Sequence, residues 1–155
     1  MTDTSLTIET ILSPDLTLCR VPGTSKKRIL EFIAEQVAQH DSELNETQIF
    51  NNLVSRERLG STGIGQGIAI PHCRLEGCSH VVGTLITLEE GVAFDAIDNQ
   101  PVDLLFALIV PKEATSEHLE LLSQLAEKFN DRNFCDQLRQ CTDASSLYRR
   151  MTGKN

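Results

Sequence analysis

The sequence has no apolar run near the ~18 residues that a membrane-spanning helix needs. Its first residues, Met1-Thr2-Asp3-Thr4-Ser5, lack the basic segment and apolar stretch of a secretory signal. Both absences lead to the expectation of a cytoplasmic address and no membrane insertion. Basic residues are few: 14 Lys and Arg stand against 22 Asp and Glu, a formal net charge of -8. Binding a nucleic-acid backbone needs clustered Lys and Arg, so no nucleic-acid partner is expected. In so acidic a chain a local group of cations becomes more informative. No two of the five cysteines (Cys19, Cys73, Cys78, Cys135 and Cys141) have Cys-x-x-Cys spacing. An odd count without a secretory signal predicts reduced thiols. Low-complexity segments, internal repeats and long charge runs are absent too.

What is present is ordinary globular composition, 40% hydrophobic and 23% charged over 155 residues. A domain of this size buries roughly 70% of its unfolded surface and needs no staples. One domain over 1–155 is expected, with its core at about 6–152. Ile8, Ile11 and Leu12 form a short apolar lead-in. Leu16 to Val21 alternates at strand period and stops at Pro22-Gly23. Thr24 and Ser25 are candidate caps for a helix bearing Ile29, Leu30, Phe32, Ile33 and Val37, ending near His40. Asn45 caps a second helix with Ile49, Phe50, Leu53 and Val54 on its apolar stripe and Arg56 and Arg58 at its end. Ile68 to His72 reads as a buried strand ending at the proline. Val81–Leu88 and Val102–Val110 are two more strands, the second apolar enough to be central. Thr115 or Ser116 caps a helix with Leu119, Leu122, Leu125, Ala126 and Phe129 inside. Two short helices follow, around Asp131–Gln140 and Asp143–Met151. The order strand, two helices, three strands, three helices predicts an α/β fold, a three-layer α/β/α sandwich with a mixed central sheet.

Between the second helix and the next strand lies Gly60-Ser-Thr-Gly-Ile-Gly-Gln-Gly67. Gly60 and Gly65 have P-loop spacing, but Gln66-Gly67 replaces the required Lys-Ser/Thr. The dinucleotide fingerprint fails as well, because these glycines precede a strand and not a helix. What remains is a flexible turn, or a backbone that approaches an anion closely with its N–H groups exposed. His72 follows this loop after Pro71, with Ser61 and Thr62 hydroxyls and the Gly63 amide nearby and Arg56 and Arg58 upstream. On its own a histidine is usually structural, and it is this setting that makes His72 a candidate. His118, in the first turn of its helix, is placed either to face solvent or to meet an anion. His40 and His80 have no such setting. His72, Cys73, Cys78 and His80 tempt a zinc reading, but adjacent residues of a strand point to opposite faces, so no metal is expected.

The segment Arg56-Glu-Arg-Leu-Gly-Ser-Thr-Gly-Ile-Gly-Gln-Gly-Ile-Ala-Ile-Pro-His72 resembles the active-site segment of the mannitol/fructose-class enzyme IIA proteins of the bacterial phosphotransferase system. Gln100 to Pro111 and Glu117-His-Leu-Glu-Leu-Leu122 match further family segments in the same order. Leu-Gly-Ser-Thr-Gly-Ile-Gly is most similar to the nitrogen-regulatory branch. The resemblance implies that His72 is the phosphorylated histidine, as the tele isomer. It implies that His118 is the second active-site histidine and Arg56 the motif arginine. Ser61, Thr62 and Gly63 are expected phosphate contacts. It also implies a phosphotransferase without metal or cofactor, since the donor is itself a phosphohistidine. That donor is a histidine phosphocarrier protein, charged from phosphoenolpyruvate by an enzyme I. In the regulatory branch, partners such as potassium-transport or sensor-kinase proteins respond to the phosphorylation state. The alternatives are a sugar-specific enzyme IIA, passing phosphate to an enzyme IIB, and a binding module that has lost phosphorylation. One departure stands out: Cys73 occupies a position where glycine commonly follows the histidine.

Overall fold

The computed structural model describes residues 7–23, 25–113 and 117–153. The N-terminal lead-in is a one-turn helix, α1 (Ile8–Ile11), with Ile8 and Ile11 buried. It runs directly into β1 (Leu12–Val21), which begins earlier than the alternation suggested. Pro14 hid that start, yet β1 lies at the sheet edge, where a missing N–H is tolerated. Next come α2 (Lys26–His40) and α3 (Glu46–Leu59). The Ser25 hydroxyl accepts from the Arg28 N–H and the Asn45 side chain from the Gln48 N–H, satisfying donors that a helix start leaves without partners.

The glycine-rich loop contains a short strand, β2 (Gly63–Gly65), and the single strand expected at Ile68–His72 is instead two, β3 (Ile68–Ala69) and β4 (His72–Leu75). β5 (Val82–Val92), β6 (Val102–Pro111), α4 (Glu117–Phe129), α5 (Arg132–Gln140) and α6 (Ala144–Thr152) complete the chain. The glycine-rich segment is therefore a hairpin rather than an open loop. Gly65 pairs with Ile68 across Gln66-Gly67, both at positive φ (59° and 81°), which is the turn that suits a two-residue hairpin. Nor does the strand end at Pro71. β3 and β4 both run parallel to β6 in one register, Ile68 opposite Leu104 and His72 opposite Leu108. Pro71 interrupts the ladder because it has no N–H to donate, but its carbonyl still accepts from the Leu108 N–H at 2.9 Å.

The sheet order is β1-β5-β6-β3-β2, with β4 also on β6; β5–β6 and β2–β3 are antiparallel and the other pairs parallel. β6 is central, and its side chains alternate between two cores. Leu105, Ala107 and Ile109 meet α2 and α3, while Leu104, Phe106, Leu108 and Val110 meet α1, α4, α5 and α6. Each fully buried Leu, Ile or Phe contributes about 1.5–3 kcal/mol. The α4 stripe differs from expectation. Leu121, Leu125 and Phe129 are buried, whereas Leu119 is 57% exposed and Ala126 faces out. The stripe is a simple i, i+4, i+8 row, and a short run dense in leucine fits more than one such row. The expected caps Thr24, Thr115 and Ser116 lie outside the described residues. No helix among the described residues is long and apolar enough to cross a membrane.

Candidate functional site

His72 opens β4, half-buried, where the proline-broken strand meets the end of α3. Both ring nitrogens have partners. Arg56 donates from Nε to His72 Nε2 at 3.3 Å, and Nδ1 lies 2.8 Å from the Ile70 carbonyl oxygen. A guanidinium only donates and a carbonyl only accepts, so the two contacts assign the tautomer: the proton is on Nδ1 and Nε2 presents its lone pair. Arg56 also donates from Nη1 to the Gly60 carbonyl at 2.9 Å, across the C-terminal turn of α3. The Arg56 side chain is thereby held at the helix end with its fork beside the imidazole.

A cleft of about 650 Å³ opens around this pair, lined among others by Asn52, Leu59, Arg74 and Lys112. Among the described residues its cations are Arg56, Arg74 and Lys112, against one carboxylate, Glu76. In a chain of net charge -8 that is a local reversal of sign, suited to an anion beside His72. Arg74 and Lys112 escaped the sequence reading. Arg74 was reachable, because two residues on from His72 along a strand is the same face. Lys112 was not, because only the pairing of β4 with β6 brings the end of β6 to this cleft. Asn52 donates from Nδ2 to the Arg74 carbonyl at 3.0 Å and Arg74 from Nη1 to the Lys112 carbonyl at 3.0 Å, tying α3, β4 and the end of β6 together. Leu59, 84% exposed, rims the cleft.

The three expected phosphate contacts, Ser61, Thr62 and Gly63, have hydrogen-bond partners within the protein. The Ser61 hydroxyl donates to the Phe94 carbonyl at 2.8 Å, and the Gly63 N–H donates to the Ser61 oxygen at 3.0 Å. Thr62 is buried, and both its N–H and its hydroxyl donate to the Glu57 carboxylate. At the hairpin tip the Gln66 N–H donates to Asp98 at 2.9 Å, and this bond with one from the Gln100 N–H holds the Asp98 carboxyl below the usual range. These donors fasten the hairpin, and none of the three residues lines the cleft. His118 is the second residue of α4, but its side chain lies outside the described residues.

Cys73, next to His72, reaches the cleft floor but is buried in the core facing α2 and α3. Burial, with Cys78 nearby, pushes its thiol up to about 12. It is thus a protonated packing group at neutral pH, and not a reactive thiol beside the imidazole.

The profile of the family described as "Phosphoenolpyruvate-dependent sugar phosphotransferase system, EIIA 2" matches residues 10–153. A protein of Pseudomonas aeruginosa named "Nitrogen regulatory protein" is 52% identical over 141 residues, 91% of this chain and 92% of the relative. The crystal structure of the nitrogen regulatory protein IIA-Ntr from Neisseria meningitidis superposes with a TM-score of 0.87 at 40% identity, covering 93% of this chain and 98% of that one. The crystal structure of IIA mannitol from Escherichia coli has a TM-score of 0.72 at 18% identity, over 87% and 95% of the two chains, a likeness of fold.

Proposed function

Because the chain belongs to the EIIA 2 family of the phosphoenolpyruvate-dependent sugar phosphotransferase system, we propose that His72 takes a phosphoryl group on Nε2 from a histidine phosphocarrier protein. The observation that carries this reading is the polarised imidazole: Nδ1–H on the Ile70 carbonyl and the Nε2 lone pair turned into a basic cleft. In the transfer the donor's N–P bond breaks as the Nε2–P bond forms, and the donor imidazole keeps the electron pair. Arg56 leaves the lone pair and meets the phosphoryl oxygens, whose spread negative charge a planar, permanently charged fork suits. Arg74 and Lys112 add field to the same place. The proton stays on Nδ1, donated to the Ile70 carbonyl, which supports the ring while it carries the phosphoryl group. His118 completes the site as the second histidine, by family resemblance.

The relatives' names and extent support a regulatory role. They are called nitrogen regulatory proteins, and this chain spans nearly all of their length. In this reading the cytoplasmic phosphoprotein signals by its phosphorylation state to partners such as potassium-transport or sensor-kinase proteins. The experiment is to incubate it with phosphoenolpyruvate, an enzyme I and a histidine phosphocarrier, then to add enzyme IIB and sugar. Base-stable, acid-labile phosphate on His72 and none on sugar is expected, and His72→Ala should take up none. Normal uptake by His72→Ala refutes the acceptor; rapid passage to sugar refutes the regulatory role.

A further inference from the structure

We infer that Glu57 is a positioning residue for His72, acting through Thr62 and the strand that carries the ring; this rests on the reading of His72 as the acceptor. The Glu57 side chain is only 5% exposed, an unusual place for a carboxylate. Lys26 lies 2.8 Å from its Oε2, and the Lys26 ammonium sits 4.9 Å above the Phe94 ring, whose own carbonyl accepts from Ser61. The Thr62 N–H donates to both carboxylate oxygens, at 3.1 and 3.3 Å, and its hydroxyl donates to Oε1. The Thr62 carbonyl in turn accepts from the Ile70 N–H at 3.0 Å, and the Ile70 carbonyl is the partner of His72 Nδ1. An unbroken series of bonds therefore leads from Lys26 and Glu57 through Thr62 and Ile70 to the far side of the imidazole.

Two consecutive residues of α3 then hold one ring from opposite sides. Arg56 faces Nε2 directly. Glu57, turned about 100° from it around the helix, governs Nδ1 through the hairpin. A half-buried ion pair such as Lys26–Glu57 is a poor way to add stability, since desolvation offsets much of the attraction; the attested use of such pairs is to fix one arrangement over others. Here the arrangement is the height of the Ile70 carbonyl, which decides the nitrogen that keeps the proton. If that carbonyl drifts, the proton is free to move to Nε2, and the lone pair leaves the cleft.

The test uses the full chain with ¹⁵N-labelled histidine, reading the His72 tautomer by NMR at one slightly alkaline pH. Wild type should show the Nδ1–H form alone. Glu57→Gln and Thr62→Val should each populate the Nε2–H form and slow single-turnover transfer ten- to hundredfold, the scale of a small misplacement. Thr62→Ser keeps the hydroxyl and should restore both readouts. Asp98→Ala loosens the same hairpin at its tip, away from the Thr62–Ile70 bond, and should change neither. Retention of the wild-type tautomer by folded Glu57→Gln or Thr62→Val overturns the inference, as does a Thr62→Ser protein no better than Thr62→Val. An equal shift in Asp98→Ala also overturns it, because the effect would then be general loosening. The tautomer measurement needs no phosphoryl donor, so it fails or holds separately from the acceptor assignment. The Thr62 pair leaves the buried charges balanced, so it decides the matter should Glu57→Gln not fold.

Discussion

Truncating Arg56 should have opposite effects on two reactions of the same imidazole. In the resting protein the guanidinium Nε donates to the lone pair of His72 Nε2 at 3.3 Å, slightly beyond the usual hydrogen-bond range. It is a weak contact, of about 0.5 kcal/mol at the low end for a net hydrogen bond. In the transfer the same fork meets a phosphoryl group carrying negative charge, where a charged hydrogen bond contributes about 1.5–3 kcal/mol. The difference, about 1–2.5 kcal/mol, corresponds to roughly five- to seventyfold in rate. Single-turnover transfer from a charged phosphocarrier to Arg56→Ala should slow by that factor. Arg56→Lys should fall between, because an ammonium cannot hold the Gly60 carbonyl and reach the phosphoryl group as a planar fork does. Acylation of His72 by diethylpyrocarbonate, a small neutral reagent, should instead become faster, since the lone pair is uncovered; peptide mass spectrometry separates it from the other three histidines. Wild-type transfer in Arg56→Ala would mean that Arg56 never meets the phosphoryl group. Slow acylation together with slow transfer would mean that the mutation moves the ring, and the argument from charge would fall.

The other predictions concern stability. Cys73 is held protonated to about pH 12, whereas an unfolded thiol titrates near 9.0. Between these values the unfolded state binds fewer protons, so stability should fall with rising pH by about 1.4 kcal/mol per unit from this group; urea titrations of wild type and Cys73→Ala should differ by that slope, and parallel curves would refute the burial argument. Gly67→Ala adds left-handed strain of about 1–2 kcal/mol and puts a Cβ 2.8 Å from Arg139 Nη2 and 3.0 Å from Asp103 Oδ1, whose contact spans 3.0 Å. Gly77→Ala has nearly the same positive φ with nothing within 4 Å, so it should be destabilised by the strain alone; equal losses in urea unfolding would show that the Arg139–Asp103 contact carries no weight.

The amphipathic faces of α2 and α3 were determined by the sequence alone, because helical periodicity depends only on neighbours a few residues apart. The same locality explains why Asn45, Asp131 and Asp143 could be placed at helix starts, where each side chain accepts an N–H three residues on. His72 and Arg56 were legible together because a long motif carries both, and the structure brings their side chains into contact. The hairpin and the split strand were not legible: whether glycines form an open loop or a turn depends on strands more than 30 residues away, and β6 sets the register on both sides of Pro71. The partners of Ser61, Thr62 and Gly63 were not legible either. Their hydroxyl and amide groups suit an anion in isolation, but Ser61 meets the Phe94 carbonyl, 33 residues on, and Thr62 meets Glu57, five residues back at the end of α3, once the chain turns there. Arg74 could have been placed by strand periodicity from His72, but Lys112 and Glu57 were charged residues like any others until the tertiary structure set Lys112 in the cleft and shielded the Glu57 side chain beside the hairpin. Sequence pattern decided what each segment could form, because secondary structure answers to local chemistry. Only the packed sheet decided which donors remained available to a ligand, because a hydrogen bond to a distant segment leaves no trace in local spacing.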